Sequence, residues 1–141
     1  MSSASPDLNV LRTASCSCEQ LKLSCVGEPI RAAVCHCYEC QKRTGSVFGV
    51  QCRYHRDQVE ISGECRRYVR TGDSGGEVTF SFCGTCGSTV FWKIKELEEY
   101  VMVAVGNISE NNRALPVPCM SVYEDRAHSW VTLPDSMEKY D

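Results

Sequence analysis

The residues of this chain best equipped for chemistry are its cysteines. There are eleven among 141 residues. Seven of them fall in three tight groups: Cys16-Ser17-Cys18, Cys35-His36-Cys37-Tyr38-Glu39-Cys40 and Cys83-Gly84-Thr85-Cys86. Such C-x-C and C-x-x-C spacings put two sulfurs on one side of a tight turn, where thiolates can share a zinc ion at about 2.3 Å. Gly84 and Gly87 suit the third turn, because a backbone without Cβ lets amides approach sulfur closely. Seven ligands do not make two closed sites. They make one closed site and one open site, and zinc uses both kinds: four protein ligands where it is structural, three and a free position where it is catalytic. The natural closed set joins Cys16 and Cys18 to Cys83 and Cys86, leaving Cys35, Cys37 and Cys40 as the open triple. Two alternatives stand beside this pairing. The three groups could share a single zinc, or His36 could complete the second site, although a side chain between two ligating residues more naturally points away.

The other cysteines read differently. Cys25 and Cys52 lie on apolar strand faces and behave as small buried hydrophobes, whereas Cys65 and Cys119 carry no signal. An odd cysteine count, with no basic or apolar leader in Met1-Ser2-Ser3-Ala4, points to thiols in a reducing cytoplasm rather than to a disulfide scaffold. A formal net charge of −3 and a sequence pI near 5.6 argue against a nucleic-acid groove, which needs clustered positive charge. Only Lys42-Arg43 and Arg66-Arg67 come as basic pairs. The longest apolar stretch, residues 100–105, is far short of the ~18–20 residues that span a bilayer. Neither nucleic acid nor a membrane is therefore an expected partner.

The elements that position these groups are mostly strands. At 15.7 kDa the chain has the size of one domain, and its dominant pattern is period-two alternation. That pattern predicts strands over 20–26, 47–52, 58–62, 89–92 and 100–105, the last apolar on both faces and hence central. Gly72-Asp73-Ser74-Gly75-Gly76 is a strong turn signal between residues 67–69 and 77–82, which read as a hairpin. Phe80 and Phe82 lead that hairpin into Cys83. Residues 1–13 read as a flexible leader in which some of Leu8, Val10 and Leu11 could pack as a first short strand. Residues 130–133 read as a last edge strand. The helical signal is weak, confined to residues 95–99, where a charged turn is an equal reading.

Together the motifs carry a resemblance. Cys16-x-Cys18, then Cys35-His36-Cys37-x-x-Cys40-Gln41-Lys42-x-Thr44-Gly45-Ser46-x-Phe48, then Phe82-Cys83-x-x-Cys86-Gly87-Ser88 resemble the signature of the glutathione-dependent formaldehyde-activating enzyme family. Val105-Gly106-Asn107-Ile108, Pro116 and His128-Ser129-Trp130 follow in the same order. The resemblance implies one zinc domain over 14–141 with a β-tent fold, two packed antiparallel sheets pinned by a structural zinc. It implies two zinc ions per chain, one structural on Cys16, Cys18, Cys83 and Cys86, one catalytic on Cys35, Cys37 and Cys40. It also implies a carbon–sulfur lyase that adds glutathione to formaldehyde, giving S-hydroxymethylglutathione. Ser15 and Glu19 stand where the family usually has glycines flanking its first motif.

That activity suits the residues. A three-coordinate zinc can hold an incoming thiol as thiolate near neutral pH, the form that attacks a carbonyl. Gln41, Lys42, Arg43, Thr44 and Ser46 follow the open triple directly and are candidates to hold substrate carboxylates or the aldehyde oxygen. His36 and Glu39 are the nearest candidates for proton transfer. The rival reading is a non-catalytic zinc-stabilised binding module, which has no need of an open metal position. Exposed strand edges could support a homodimer.

Overall fold

The computed structural model of the protein describes residues 10–72, 75–108 and 115–141. Residues 1–9 and the hairpin-turn residues Asp73 and Ser74 lie outside them. Two sheets make the fold. β1 (Leu11–Ser15), β2 (Lys22–Val26) and β5 (Val59–Ser62) form a small antiparallel sheet in the order β1-β2-β5. The large sheet takes β3 (Arg31–Cys35), β4 (Gly49–His55), β6 (Arg66–Thr71), β7 (Glu77–Phe82), β8 (Thr89–Ile94), β9 (Tyr100–Ala104), β10 (Met120–Val122) and β11 (Glu138–Lys139). Its order is β11-β10-β3-β4-β9-β8-β7-β6, so β9 is central, as its double-sided apolarity requires.

The core lies between the sheets. Alternation along β2 sends Leu23 and Cys25 inward, and along β4 it sends Cys52 and Tyr54, so both isolated strand cysteines sit fully buried among Leu21, Val101 and Val103. Register then gives the large sheet a second apolar face. Phe80 pairs with Trp92, and Trp92 with Met102, which stacks these three on one side while the Phe91–Val103 pair faces the core. The cavity described below opens on that second face.

Several expectations need correction. The first strand begins at Leu11, so residues 11–13, read as leader, are paired with β2 instead. The large sheet is not wholly antiparallel: β10 runs parallel to both β3 and β11. No strand forms over 130–133, where Val131 N donates to His128 O in a turn and Trp130 stands exposed. Residues 95–97 are a short 3-10 helix. The main helix, α1 (Tyr38–Thr44), falls inside the second cysteine motif. Cys37 is its N-cap, with Sγ accepting from Cys40 N at 3.3 Å, and Gly45 ends it in the left-handed conformation that glycine adopts without strain.

Candidate metal centres

The first centre joins the two sheets. Cys16 and Cys18 lie in the β1–β2 connection of the small sheet, and Cys83 and Cys86 in the β7–β8 connection of the large one. The four sulfurs all lie within 4.8 Å of one another. Cys18 Sγ is 3.7 Å from Cys16 Sγ and 3.6 Å from Cys83 Sγ. Tetrahedral zinc with sulfur at about 2.3 Å requires sulfurs about 3.8 Å apart, so the donor set fits the ion. Backbone amides already face these sulfurs, from Leu21 N to Cys16 at 3.4 Å and from Thr85 N and Cys86 N to Cys83 at 3.3 and 3.4 Å. Gly87 holds the knuckle closed at φ 84, its N–H donating to Cys83 O.

Gln20, which the spacing of cysteines did not single out, completes this centre. Its Nε2 donates to Cys83 Sγ at 3.0 Å and to Glu64 O at 2.7 Å, while its Oε1 accepts from Glu64 N. The close approach depends on Gly63, at φ 94, where a Cβ would sit 1.9 Å from Gln20 O. The Gln20 hydrogen bond, with the knuckle amides, draws the Cys83 thiol down to about 7. Ser88 Oγ, 3.5 Å from Cys86 Sγ, leads the interactions that draw that thiol to about 5. Both shifts favour thiolate, the form that binds metal.

The second cluster is local and buried. Cys35 ends β3, Cys37 caps α1 and Cys40 lies in its first turn; all three are under 9% exposed, with sulfurs within 4.8 Å of one another. Hydrogen bonding from Cys35 and Cys40 holds the Cys37 thiol far below the ordinary range, while the same sharing pushes Cys35 up. One sulfur ionises readily and its neighbours resist, a conflict that a dication removes. His36 is not a further ligand. It is fully buried and turned the other way, with Nε2 2.9 Å from Ser121 Oγ and 3.3 Å from Glu124 Oε2. Its backbone is fixed on both sides, N donating to Val122 O and O accepting from Gln41 Nε2 at 2.8 Å. Glu39 faces Lys42 and Arg70 at 3.8 and 4.0 Å.

A cavity of about 160 Å³ opens on the triple. Its lining includes Cys35, Cys37, Cys40, Arg43, Arg70 and Trp92, and among the described residues it holds no Asp or Glu. Of the five residues expected to meet substrate, Arg43 lines it. Lys42 lines an adjoining groove of about 260 Å³ that shares Arg43, Arg70 and Phe80. Gln41 spends its amide on His36 O and on His128, whose Nε2 is 3.0 Å from Gln41 Oε1. Thr44 turns back on Cys40 O at 2.8 Å and accepts from Ser46 N, which leaves Ser46 outside the cavity lining. The residues missed by sequence are those brought by distant strands: Arg70 of β6, Trp92 of β8, Gln51 of β4, and Tyr123. Tyr123 packs against the cysteine triple from a left-handed backbone at φ 57, a conformation costing about 1–3 kcal/mol for a bulky residue.

Fold and site together define a two-sheet β protein with two cysteine clusters able to hold metal, one between the sheets and one on a cavity. Residues 11–126 match the family described as Glutathione-dependent formaldehyde-activating enzyme, and the chain belongs to that family. Among solved structures it is similar to the crystal structure of a Rhodobacter sphaeroides protein determined as a structural genomics target. The two share 19% identity over 71% of this chain and 90% of that one, with a TM-score of 0.54, which supports the fold. No curated protein matches the chain. Among the described residues, no helix is long and apolar enough to cross a membrane.

Proposed function

We propose that this protein is a zinc-dependent carbon–sulfur lyase that adds glutathione to formaldehyde or a related small aldehyde. The observation that carries the reading is the pairing of a three-sulfur cluster with a cavity that all three cysteines line. Cys35, Cys37 and Cys40 hold a catalytic zinc, and Cys16, Cys18, Cys83 and Cys86 a structural one. When bound at the triple, zinc supplies a Lewis-acidic centre that keeps an external thiol ionised near neutral pH.

The chain's own residues do the rest. His36, held through Ser121 and the backbone of Val122, fixes the loop that carries the three sulfurs. Trp92, Phe80, Val78 and Ile94 give the cavity apolar walls that limit water at the reacting atoms. Gln51 and Tyr123 also line the cavity, where the aldehyde oxygen would need a partner. In the addition the thiol sulfur forms a bond to the aldehyde carbon, the carbonyl π pair moves to oxygen, and that oxygen takes up the proton the thiol released. The product is a hemithioacetal, and the reverse step is carbon–sulfur cleavage. A reducing cytoplasm suits a protein of eleven free thiols.

The test is to measure zinc content and then the exchange of formaldehyde between free glutathione and its adduct by nuclear magnetic resonance. The protein should carry two zinc equivalents and accelerate the exchange, and chelation of the cavity zinc should abolish the acceleration. Fully loaded protein that leaves the exchange at its buffer rate overturns the lyase reading in favour of a binding module.

A further inference from the structure

Resting on that reading, we propose that Arg43 and Arg70 form a carboxylate subsite, so that the site selects thiols carrying an acid group. Both arginines line the cysteine cavity and both line the groove that continues from it. They come from unrelated parts of the chain, Arg43 from α1 and Arg70 from the edge strand β6, and each is laid on an aromatic ring. Arg43 Cζ is 4.3 Å from the centroid of Trp92 and Arg70 Cζ 5.1 Å from that of Phe80. These two rings are cross-strand partners with centroids 5.6 Å apart. Stacking of this kind holds a guanidinium in place while leaving its edge free to donate.

The protein does not saturate the guanidinium of Arg43. Arg43 Nη2 is buried without a hydrogen-bond partner, in space that exists because residue 49 is glycine; a Cβ there would lie 2.9 Å from it. That nitrogen lies beside Gly49, which lines neither the cavity nor the groove, so the contact offered to an oxygen anion is that of the two guanidiniums that line them. Glu39 is a poor substitute, because it stands 4.0 Å from Arg70 Nε and is shared with Lys42. Charge points the same way. Three thiolates around a dication would leave one negative charge at the cavity, so an anionic thiol needs cations in the same lining. Planar, forked donors match a carboxylate.

The test loads the full chain with cobalt in place of zinc and follows the thiolate-to-cobalt absorption during titration. Mercaptoacetate is compared with mercaptoethanol, a neutral thiol of similar size. Wild type should prefer the acid tenfold or more, the range expected of a charge-assisted contact. Arg70→Gln should erase the preference while keeping metal content and the affinity for mercaptoethanol, and Arg70→Lys should restore part of it. If Arg70→Gln does not fold, Arg43→Gln carries the same comparison. Equal affinities in wild type overturn the subsite and leave the lyase reading standing. So does a variant that loses both thiols equally, because the arginines would then only balance the charge of the sulfurs. If neither thiol moves the cobalt bands, the thiol-binding reading fails and the subsite with it.

Discussion

The two cysteine clusters use the same side chain for opposite ends. In the cluster between the sheets, Cys18 and Cys83 are 65 residues apart, and joining them closes a long loop and ties one sheet to the other. In the cluster on the cavity, three sulfurs come from six consecutive residues and are held by one strand end and one helical turn. Closing the long loop removes much chain entropy, whereas gathering the local triple removes little. A metal held by the inter-sheet cluster would therefore stabilise the fold more than one held by the cavity cluster. The cavity cluster has its scaffold already, through the hydrogen bonds of His36 and the cap of α1.

The largest effect should come from the inter-sheet cluster. A structural zinc contributes on the order of 10 kcal/mol in apparent free energy, comparable to the whole stability of a small domain. Cys83→Ser should therefore give an unfolded or insoluble chain by circular dichroism. A soluble variant with an unchanged melting temperature would erase the contrast between the clusters.

Cys37→Ala should be milder. It removes one ligand and the cap of α1, whose loss costs about 1 kcal/mol. The variant should fold, lose one zinc equivalent and stop responding to glutathione in calorimetry. Collapse like that of Cys83→Ser would make both clusters structural.

The smallest effect sharpens the comparison through pH. Cys83 and Cys86 lie below the ordinary thiol value of 9, at about 7 and about 5, so the thiolate form is favoured above 9 and given up as pH falls through those values. Acid should therefore release the inter-sheet zinc on the way down. Gln20→Ala removes the largest contribution to the Cys83 shift and raises that thiol. Release to a chelator should then begin at a higher pH, by a fraction of a unit, with the cavity zinc unaffected. An unshifted release curve would clear Gln20 of the role.

Much of this was legible in the order of residues, because metal knuckles and alternating strands are local patterns. Counting divides the seven clustered cysteines into a set of four and a set of three, and the sulfurs within each set lie within 4.8 Å of one another. The helix α1 hid because its N-cap, Cys37, and the one cysteine of its first turn, Cys40, read as ligands and not as a helix start. β3, with its Ala32-Ala33 centre, and the short β10 and β11 lack the alternation that marks a strand. Arg70 and Trp92 could not be placed beside Cys37 from spacing alone, since only the pairing of β6, β7 and β8 brings them there. The five candidates between Gln41 and Ser46 were nearest in sequence, but Gln41 and Thr44 turn to other partners and Ser46 lies beyond the end of the helix.

β6 ends the large sheet, and its outer row of amides and carbonyls faces no neighbouring strand among the described residues. An open edge of this kind invites another strand, and proteins commonly discourage it with charge. Half of the six residues of β6 are arginine: Arg66, Arg67 and Arg70. A second copy of the chain laid along this edge would set arginines against arginines. Arg70 therefore sits under two demands at once, and neutralising it should make the protein more prone to stack edge to edge at high concentration.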